Sequence, residues 1–501
     1  MISCRAPNGT CFFSRLTPWQ ATLLLIVVSS LLRLAAAATV AISTDEAHYA
    51  LYGLHLDWSY FDHPPMVGWL QALVLPFSES SVALRAVPIL LFAAVSAVLH
   101  RLTLTLFPRE TPWLGFFSVA LLHSGLMFQL IGLTMLPDAP LLLLGLLTLL
   151  ALHGILENNR LQHWLLLGLW LGLAGLSKYT AVTLVVTVLL ALAFDKQWRV
   201  LRTPGPWLAL IVSMLLILPV LYWNMQHGWI SFAYQIHHGT SDPDWKPVKF
   251  AISQIVQFAA YGPGIFAFGL IALLTAWHNW RERGVRLCVA LALPVLLLFG
   301  WNSGYVMTLP HWTSLGWAGL IPLAARWLHN AWNKRWVRIG AGSAAVYSLL
   351  LIALLFSEFI FPWMPFADNR DPLRDLYGWE QVAHRAEELR AELAATPGST
   401  PLLFTEIWTY ASRLAWYARP TPVQVLDKRY DQFDIWFGSP QDGARGILVS
   451  WPDAQASTTT GPATGGAGQF AACTLRDKLP IISNRHLTST FLLYSCYGFR
   501  N

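Results

Sequence analysis

Apolar runs of about 18 residues or more, enough to cross a ~30 Å hydrocarbon core, recur along the first 360 positions. They predict spans near 18–40, 84–106, 112–134, 138–156, 206–223, 253–277, 286–303, 311–327 and 338–360. The block 163–194 is too long for one ordinary span and splits into two short helices turning near Ser177-Lys178-Tyr179, which brings the total to eleven. After Pro362-Trp-Met-Pro365 the pattern changes. There 378–395 and 407–418 read as helices, the first amphipathic, and 401–405, 422–426 and 446–450 as short strands. Such alternation predicts a small α/β domain with some parallel pairing. The Ser/Thr/Gly/Ala-rich stretch 456–468 reads as a flexible loop. The expected architecture is a polytopic α-helical membrane domain over 1–363, with outer loops 42–83 and 224–252, followed by a soluble α/β domain over 364–501.

Composition agrees with a membrane protein. Hydrophobic residues make up 55% of the chain and charged ones 12%, against roughly 25% charged in soluble domains. Mean hydropathy is +0.48. With the N-terminus in the cytoplasm, the basic residues from Arg5 and Arg15 through Arg101, Arg109, Arg160, Lys196, Arg199, Arg202, Arg281, Arg283, Arg286, Arg326, Lys334, Arg335 and Arg338 share one side. The opposite loops hold only Lys246 and Lys249. This bias obeys the positive-inside rule. The net charge of +6 is therefore topological and marks no nucleic-acid partner. It places 42–83 and the C-terminal domain on the periplasmic side of a bacterial inner membrane. The segment from Arg5 to residue 41 resembles a cleavable signal peptide, but Arg33 interrupts its core and the run continues to Ile42, so it reads as a retained span.

Cys4, Cys11 and Cys288 fall in cytoplasmic or membrane positions. Cys473 and Cys496 fall in the exported domain, where an oxidising compartment permits a disulfide; two buried thiols are the alternative. The chain has no CxxC, Walker A motif or strand-associated GxGxxG, which argues against an ATP-driven pump or a nucleotide-binding enzyme.

The densest chemistry lies in Ser43-Thr-Asp-Glu-Ala-His-Tyr49 and Tyr60-Phe-Asp-His-Pro-Pro65. Asp45 and Glu46 are neighbours, so they point in different directions: one can face a reacting centre while the other holds structure or a cation. His48, Tyr49, Asp62 and His63 are candidates for substrate binding or for structure, with Pro64 and Pro65 pinning the corner. Asp138 begins a span and is either a helix cap or a second site acid. Lys178, a lone cation in an apolar block, suits a lipid phosphate or a buried acid; Arg33 has the same two readings, and snorkelling as a third. His227 and His311 load two further outer loops. A divalent metal on Glu46, His63 and His311 stays open, although no HxH or HxxxH spacing supports it.

On the two motifs of 45–65 the chain resembles bacterial GT-C glycosyltransferases of family 39, relatives of protein O-mannosyltransferases and of the aminoarabinose transferase that modifies lipid A. Pro137-Asp-Ala-Pro140, Leu176-Ser-Lys-Tyr-Thr180, Tyr222-Trp-Asn224, His227-Gly-Trp-Ile-Ser-Phe232 and Pro310-His-Trp312 extend the resemblance, in order, over most of 18–320. The resemblance implies an inverting transferase that takes a sugar from a polyprenyl phosphate at the outer membrane face. It implies Asp45 as base, Glu46 as its support, Asp138 as second acid, and Lys178 beside the donor phosphate; Arg33 is a further phosphate candidate on its own reading as a cation within a span. No β-trefoil signature is present, which favours a lipid or surface glycan over a protein as acceptor. The segment 403–418 looks like one that follows the membrane domain in many bacterial members. The rival readings are a flippase for a lipid-linked sugar and a polysaccharide ligase or polymerase. A flippase calls for internal repeats, and no similarity between halves is visible.

Overall fold

The computed structural model describes residues 16–238, 244–366, 370–451, 469–483 and 486–500. Arg5, Arg15, Cys4, Cys11, Asp242 and the 456–468 stretch lie outside the described residues. Helices α1 (Pro18–Thr39), α2 (Thr44–Leu54), α3 (Met66–Ala72), α4 (Ser81–Leu106), α5 (Trp113–Ser124) and α6 (Leu126–Ile131) come first. Next are α7 (Asp138–Asn158), α8 (Leu161–Ser177), α9 (Val182–Phe194), α10 (Pro204–Gln226), α11 (Ile230–His238) and α12 (Pro247–Thr275). The last of the apolar series are α13 (Arg283–Asn302), α14 (Ser314–Asn330) and α15 (Arg335–Ile360). The tail runs α16 (Trp379–Ala394), β1 (Leu402–Thr405), α17 (Trp408–Tyr417), β2 (Val423–Val425), α18 (Gln432–Phe437), β3 (Gly446–Ser450), β4 (Phe470–Ser483) and β5 (His486–Phe499).

The chain divides into two compact units: 1–35 with 63–66 and 85–356, and 36–62 with 67–84 and 357–501. The first is a helical bundle. Among the described residues, seven helices are long and apolar enough to cross a membrane, and α5, α8 and the 179–194 segment are shorter apolar helices. With the 17-residue α14, these make the eleven apolar elements read from the sequence. Helix α7 is central, with 78% of its apolar window buried, whereas α10 and α15 present most of theirs outward. Two expectations change here. The 112–134 span is broken at Gly125, whose extended backbone (φ −82°, ψ 121°) separates α5 from α6. A Cβ at Gly125 would stand 2.7 Å from Ile265 Cδ1, so α12 comes close here and a larger residue would make that side-chain tip shift. The 224–252 loop is mostly helix, because α10 runs to Gln226, α11 follows, and α12 starts at Pro247.

The second unit joins the C-terminal α/β fold to the 42–83 segment, which is not an open loop but carries α2 and α3. Its sheet has the order β2-β1-β3-β5-β4, parallel across β2, β1 and β3 and antiparallel from β3 through β5 to β4. The two-residue period sends Leu403, Ile447, Val449, Phe491 and Leu493 to one face, under α16 and α17. Phe404, Leu448, Phe470 and Cys496 go to the other. Ala47, Ala50 and Leu51 of α2 enter the first of these cores beside Trp379, Leu414 and Phe433. Strands β4 and β5 and helix α18 have no counterpart among the sequence-derived elements. Cys473 and Cys496 are register partners on β4 and β5 and are joined by a disulfide.

Candidate functional site

In the second unit, the start of α2 separates the roles of the two adjacent acids. Ser43 caps the helix: its Oγ accepts from Glu46 N at 3.4 Å, and Glu46 Oε2 accepts from Ser43 N at 2.9 Å. This reciprocal capping box satisfies two backbone donors that the first turn leaves open. Glu46 is 2% exposed and holds the helix start. Asp45 lies one position earlier on the same rigid turn and is half-buried.

His48 and Tyr49 are buried. The His48 ring sits among Tyr52, Trp408, Phe433 and Trp436, with centroids 4.8 to 6.0 Å away. Its Nδ1 is 3.1 Å from Ser412 Oγ, and its Nε2 is 3.7 Å from Asp62 Oδ1. Asp62 also accepts the Tyr52 hydroxyl hydrogen bond. Tyr52 stacks on Tyr60 at 3.6 Å, and the Tyr60 hydroxyl donates toward the Tyr52 and His55 carbonyls. Phe61 N donates to Gln432 Oε1 at 2.8 Å. His48 and Asp62 thus belong to an internal network that ties the Tyr60–Asp62 corner to α2 and α18.

In the helical unit, Asp138 opens α7 as its first residue, with Pro137 at the cap position and no capping hydrogen bond from a side chain. The helix-cap reading therefore fails. The Asp138 carboxylate instead receives Lys178 Nζ at 2.9 and 2.7 Å, both side chains being buried. Ser314 Oγ lies 3.5 Å from Asp138 Oδ1, and His311 Nε2 lies 4.0 Å from Oδ2. His63 is close enough to His311 for their charges to interact. The positive end of α7 adds to the stabilisation of this carboxylate.

Arg33 is elsewhere in the bundle. Its three nitrogens face Gln129 O at 3.4 Å, Ser29 Oγ at 3.3 Å and Gln129 Oε1 at 2.6 Å, and the guanidinium lies 4.4 Å over Phe92. It braces α1 against α4 and α6. His227 stacks on Trp223 at 3.9 Å and bonds the Trp223 carbonyl through Nδ1. It belongs to a tight turn in which Gly228 and Trp229 take φ of 63° and 60° and the Asn224 carbonyl accepts from Trp229 N. Among the described residues, no three His, Cys, Asp or Glu side chains group to hold a metal.

Sequence reasoning missed Ser412, Arg413 and Gln257. The segment 403–418 was singled out with no role attached. Gln257, inside an apolar run, carried no local signal. Its Oε1 accepts from Thr313 Oγ1 at 2.7 Å and from Trp317 Nε1 at 3.2 Å. An indole N–H can only donate, so the amide orientation is fixed and Nε2 points the other way, meeting no acceptor among the described residues. Gln257 lines a cleft of about 380 Å³ walled by Phe250, Leu270, Leu296, Trp301 and Trp317.

Residues 62–223 match the model of the dolichyl-phosphate-mannose-protein mannosyltransferase family. The lipid A galacturonosyltransferase RgtD of Rhizobium johnstonii is 25% identical over 371 residues, covering 72% of this chain and 74% of that one. The lipopolysaccharide core galacturonosyltransferase RgtA of the same organism is 24% identical over 53% of this chain and 58% of its own. Among solved structures, ArnT from Cupriavidus metallidurans bound to undecaprenyl phosphate superposes with a TM-score of 0.64 at 14% identity, covering 94% of this chain and 97% of that one. Its fold is therefore this fold: a multi-pass helical membrane part with a small C-terminal sheet domain. Residues 62–223 thus carry a domain of the dolichyl-phosphate-mannose-protein mannosyltransferase kind, within a chain that has the GT-C fold seen in ArnT.

Proposed function

We propose that this chain transfers a sugar from a polyprenyl-phosphate donor to a lipid or surface-glycan acceptor, and that galacturonate on lipid A is the first pair to try. The choice of pair follows the activities named for the galacturonosyltransferase relatives. The reaction is set in a bacterial inner membrane, with the N-terminus in the cytoplasm and both the Asp45 segment and the tail on the periplasmic side, as the positive-inside bias favours.

The observation that carries the reading is the half-exposed Asp45 carboxylate on a helix turn locked by its capping box. In the proposed step Asp45 takes the proton of an acceptor hydroxyl. The freed oxygen attacks the anomeric carbon, the carbon–oxygen bond to phosphate breaks, and polyprenyl phosphate leaves with the electron pair. A positioned base contributes about 10²–10⁴-fold. Lys178, oriented by Asp138, is the proposed cation for the departing phosphate. The apolar cleft at Gln257 suits an isoprenoid chain, with one amide donor for an oxygen atom. Because the phosphate is already a leaving group, this chemistry calls for no nucleotide-binding machinery.

The test compares envelope glycolipids, by mass spectrometry, in a deletion strain carrying the wild-type protein or Asp45→Asn. We expect only the wild type to restore a species heavier by one sugar residue. Equal restoration by Asp45→Asn would remove Asp45 as base. No difference from the deletion strain in either case would move the search to protein acceptors.

A further inference from the structure

Helix α17 lies in the C-terminal tail, yet it packs on α2, the helix that carries Asp45. Ala411, Leu414 and Ala415 share one apolar core with Ala47, Ala50 and Leu51. Two buried polar residues, Ser412 and Arg413, lie between these apolar positions of α17. The Ser412 hydroxyl donates to the Trp408 carbonyl at 2.8 Å, so at 3.1 Å it can only accept from His48, whose proton is thereby placed on Nδ1. This leaves His48 Nε2 toward Asp62, the residue that anchors the Tyr60–Asp62 corner.

Arg413 is the second polar residue, 2% exposed. Its guanidinium lies 4.4 Å over the Trp379 ring, donates to the Asp375 carbonyl, stands 3.6 Å from the Asp375 carboxylate, and is within electrostatic reach of Asp45. Its Nε meets no acceptor among the described residues. Burial lowers its pKa to about 10 while Asp375, Tyr410 and Asp45 oppose that, so it is charged at neutral pH. A buried cation is costly where only packing is required, and an alanine or leucine would fill the seam more cheaply. Its presence beside the Asp45 turn calls for another account.

We propose that α17 is a positioning element for transfer: Ser412, acting through His48, and Arg413, the next residue of the same helix, hold the first turn of α2 in the geometry that proton abstraction needs. The tail on this view is part of the catalytic apparatus rather than an appended acceptor-binding module. The inference rests on Asp45 acting as the base.

The experiment uses the full chain in lipid nanodiscs, with undecaprenyl-phosphate-linked galacturonate and lipid A, and counts product by mass spectrometry. Arg413→Met, Arg413→Lys and Ser412→Ala are each made in the wild-type and Asp45→Asn backgrounds. We expect Arg413→Met to lower kcat by about tenfold or more, with KM for both substrates held within about twofold. Arg413→Lys should recover most of the loss, and Ser412→Ala, which removes one hydroxyl only, should lower kcat about threefold or more. In the Asp45→Asn background Arg413→Met should cost nothing further, because it acts through that carboxylate. The proposal falls if Arg413→Met and Ser412→Ala keep wild-type kcat, or if each costs the same factor in both backgrounds, the mark of a merely structural role. Should Arg413→Met fail to fold, Ser412→Ala decides by the same two criteria. Full turnover by Asp45→Asn is a separate result, which sinks the base assignment first. Should the wild type make no product from this pair, the same variants are scored by restoration of the glycolipid in the deletion strain, under the same criteria.

Discussion

Lys178 and Asp138 form a buried ion pair with two short contacts, and such pairs are costly to break from one side. Lys178→Met should destabilise the protein by about 3–5 kcal/mol because it strands a buried carboxylate. Adding Asp138→Asn should return most of that stability without returning transfer, a contrast that thermal melting and a turnover assay read separately. Glu406 in the tail offers a pH test. Burial raises its pKa, and the hydrogen bond from Ser450 at 2.9 Å only partly offsets the rise. The folded state therefore holds this proton more tightly than the unfolded chain. The stabilisation it confers is full below the unfolded carboxyl range and is lost as pH rises through the folded pKa. Glu406→Gln should accordingly raise the melting temperature at pH 7 relative to wild type and leave it nearly unchanged near pH 4. At this scale the sequence showed where the polar residues cluster and was weak on how they pair. The Ser43-x-x-Glu46 spacing is itself the local signature of a capping box, which the extended backbone of Ser43 realises.

Elements were legible where their signal is local. The long apolar helices, α16, α17 and the three parallel strands all carry their period within one segment. What escaped depends on distant partners. Strand β4 is mostly exposed and contains Pro480, a residue that argues against a strand except at a sheet edge, which is where β4 lies. Only its antiparallel pairing with β5 makes it a strand. The break at Gly125 likewise lies against a distant partner, Ile265, 140 residues further along the chain. The cross-link between β4 and β5 closes a loop with a sequence separation of 23. Removing it with Cys473→Ser should cost about 3 kcal/mol. Limited proteolysis followed by mass mapping should locate the loss in the β4–β5 hairpin, with the helical bundle left intact.

At the scale of the whole molecule, the expected boundary at residue 363 assigned 42–83 to the membrane part. The compact units instead group that segment with the tail. The reason is physical: Ala47, Ala50, Leu51, Leu75 and Leu84 have their apolar partners on α16, α17 and α18, over 290 residues away in sequence. No window of sequence contains both sides of such a core. A chain ending at residue 363 should therefore leave α2 without its core. We expect such a truncation to be recovered, if at all, as aggregated or protease-sensitive material, as size-exclusion in mild detergent would report. The bundle has its own long-range ties: Arg283 and Arg286 converge on Asp195, and Arg326 joins Glu110 to Glu282. Part of the basic excess read as a topological signal is thus also used as internal cross-bracing.

The shared core of α2 and the tail also sets a schedule. Asp45 leaves the ribosome about 330 residues before Trp379, its first core partner in the tail, which at ~5–20 residues per second is a delay of roughly 15–65 s. Throughout that interval the acid of the Ser43 turn is made but not yet mounted. On the proposed role of Asp45, activity is withheld until the α16–α17 segment has been made, and a chain stopped before it, though already inserted in the membrane, holds no mounted base with which to spend lipid-linked sugar.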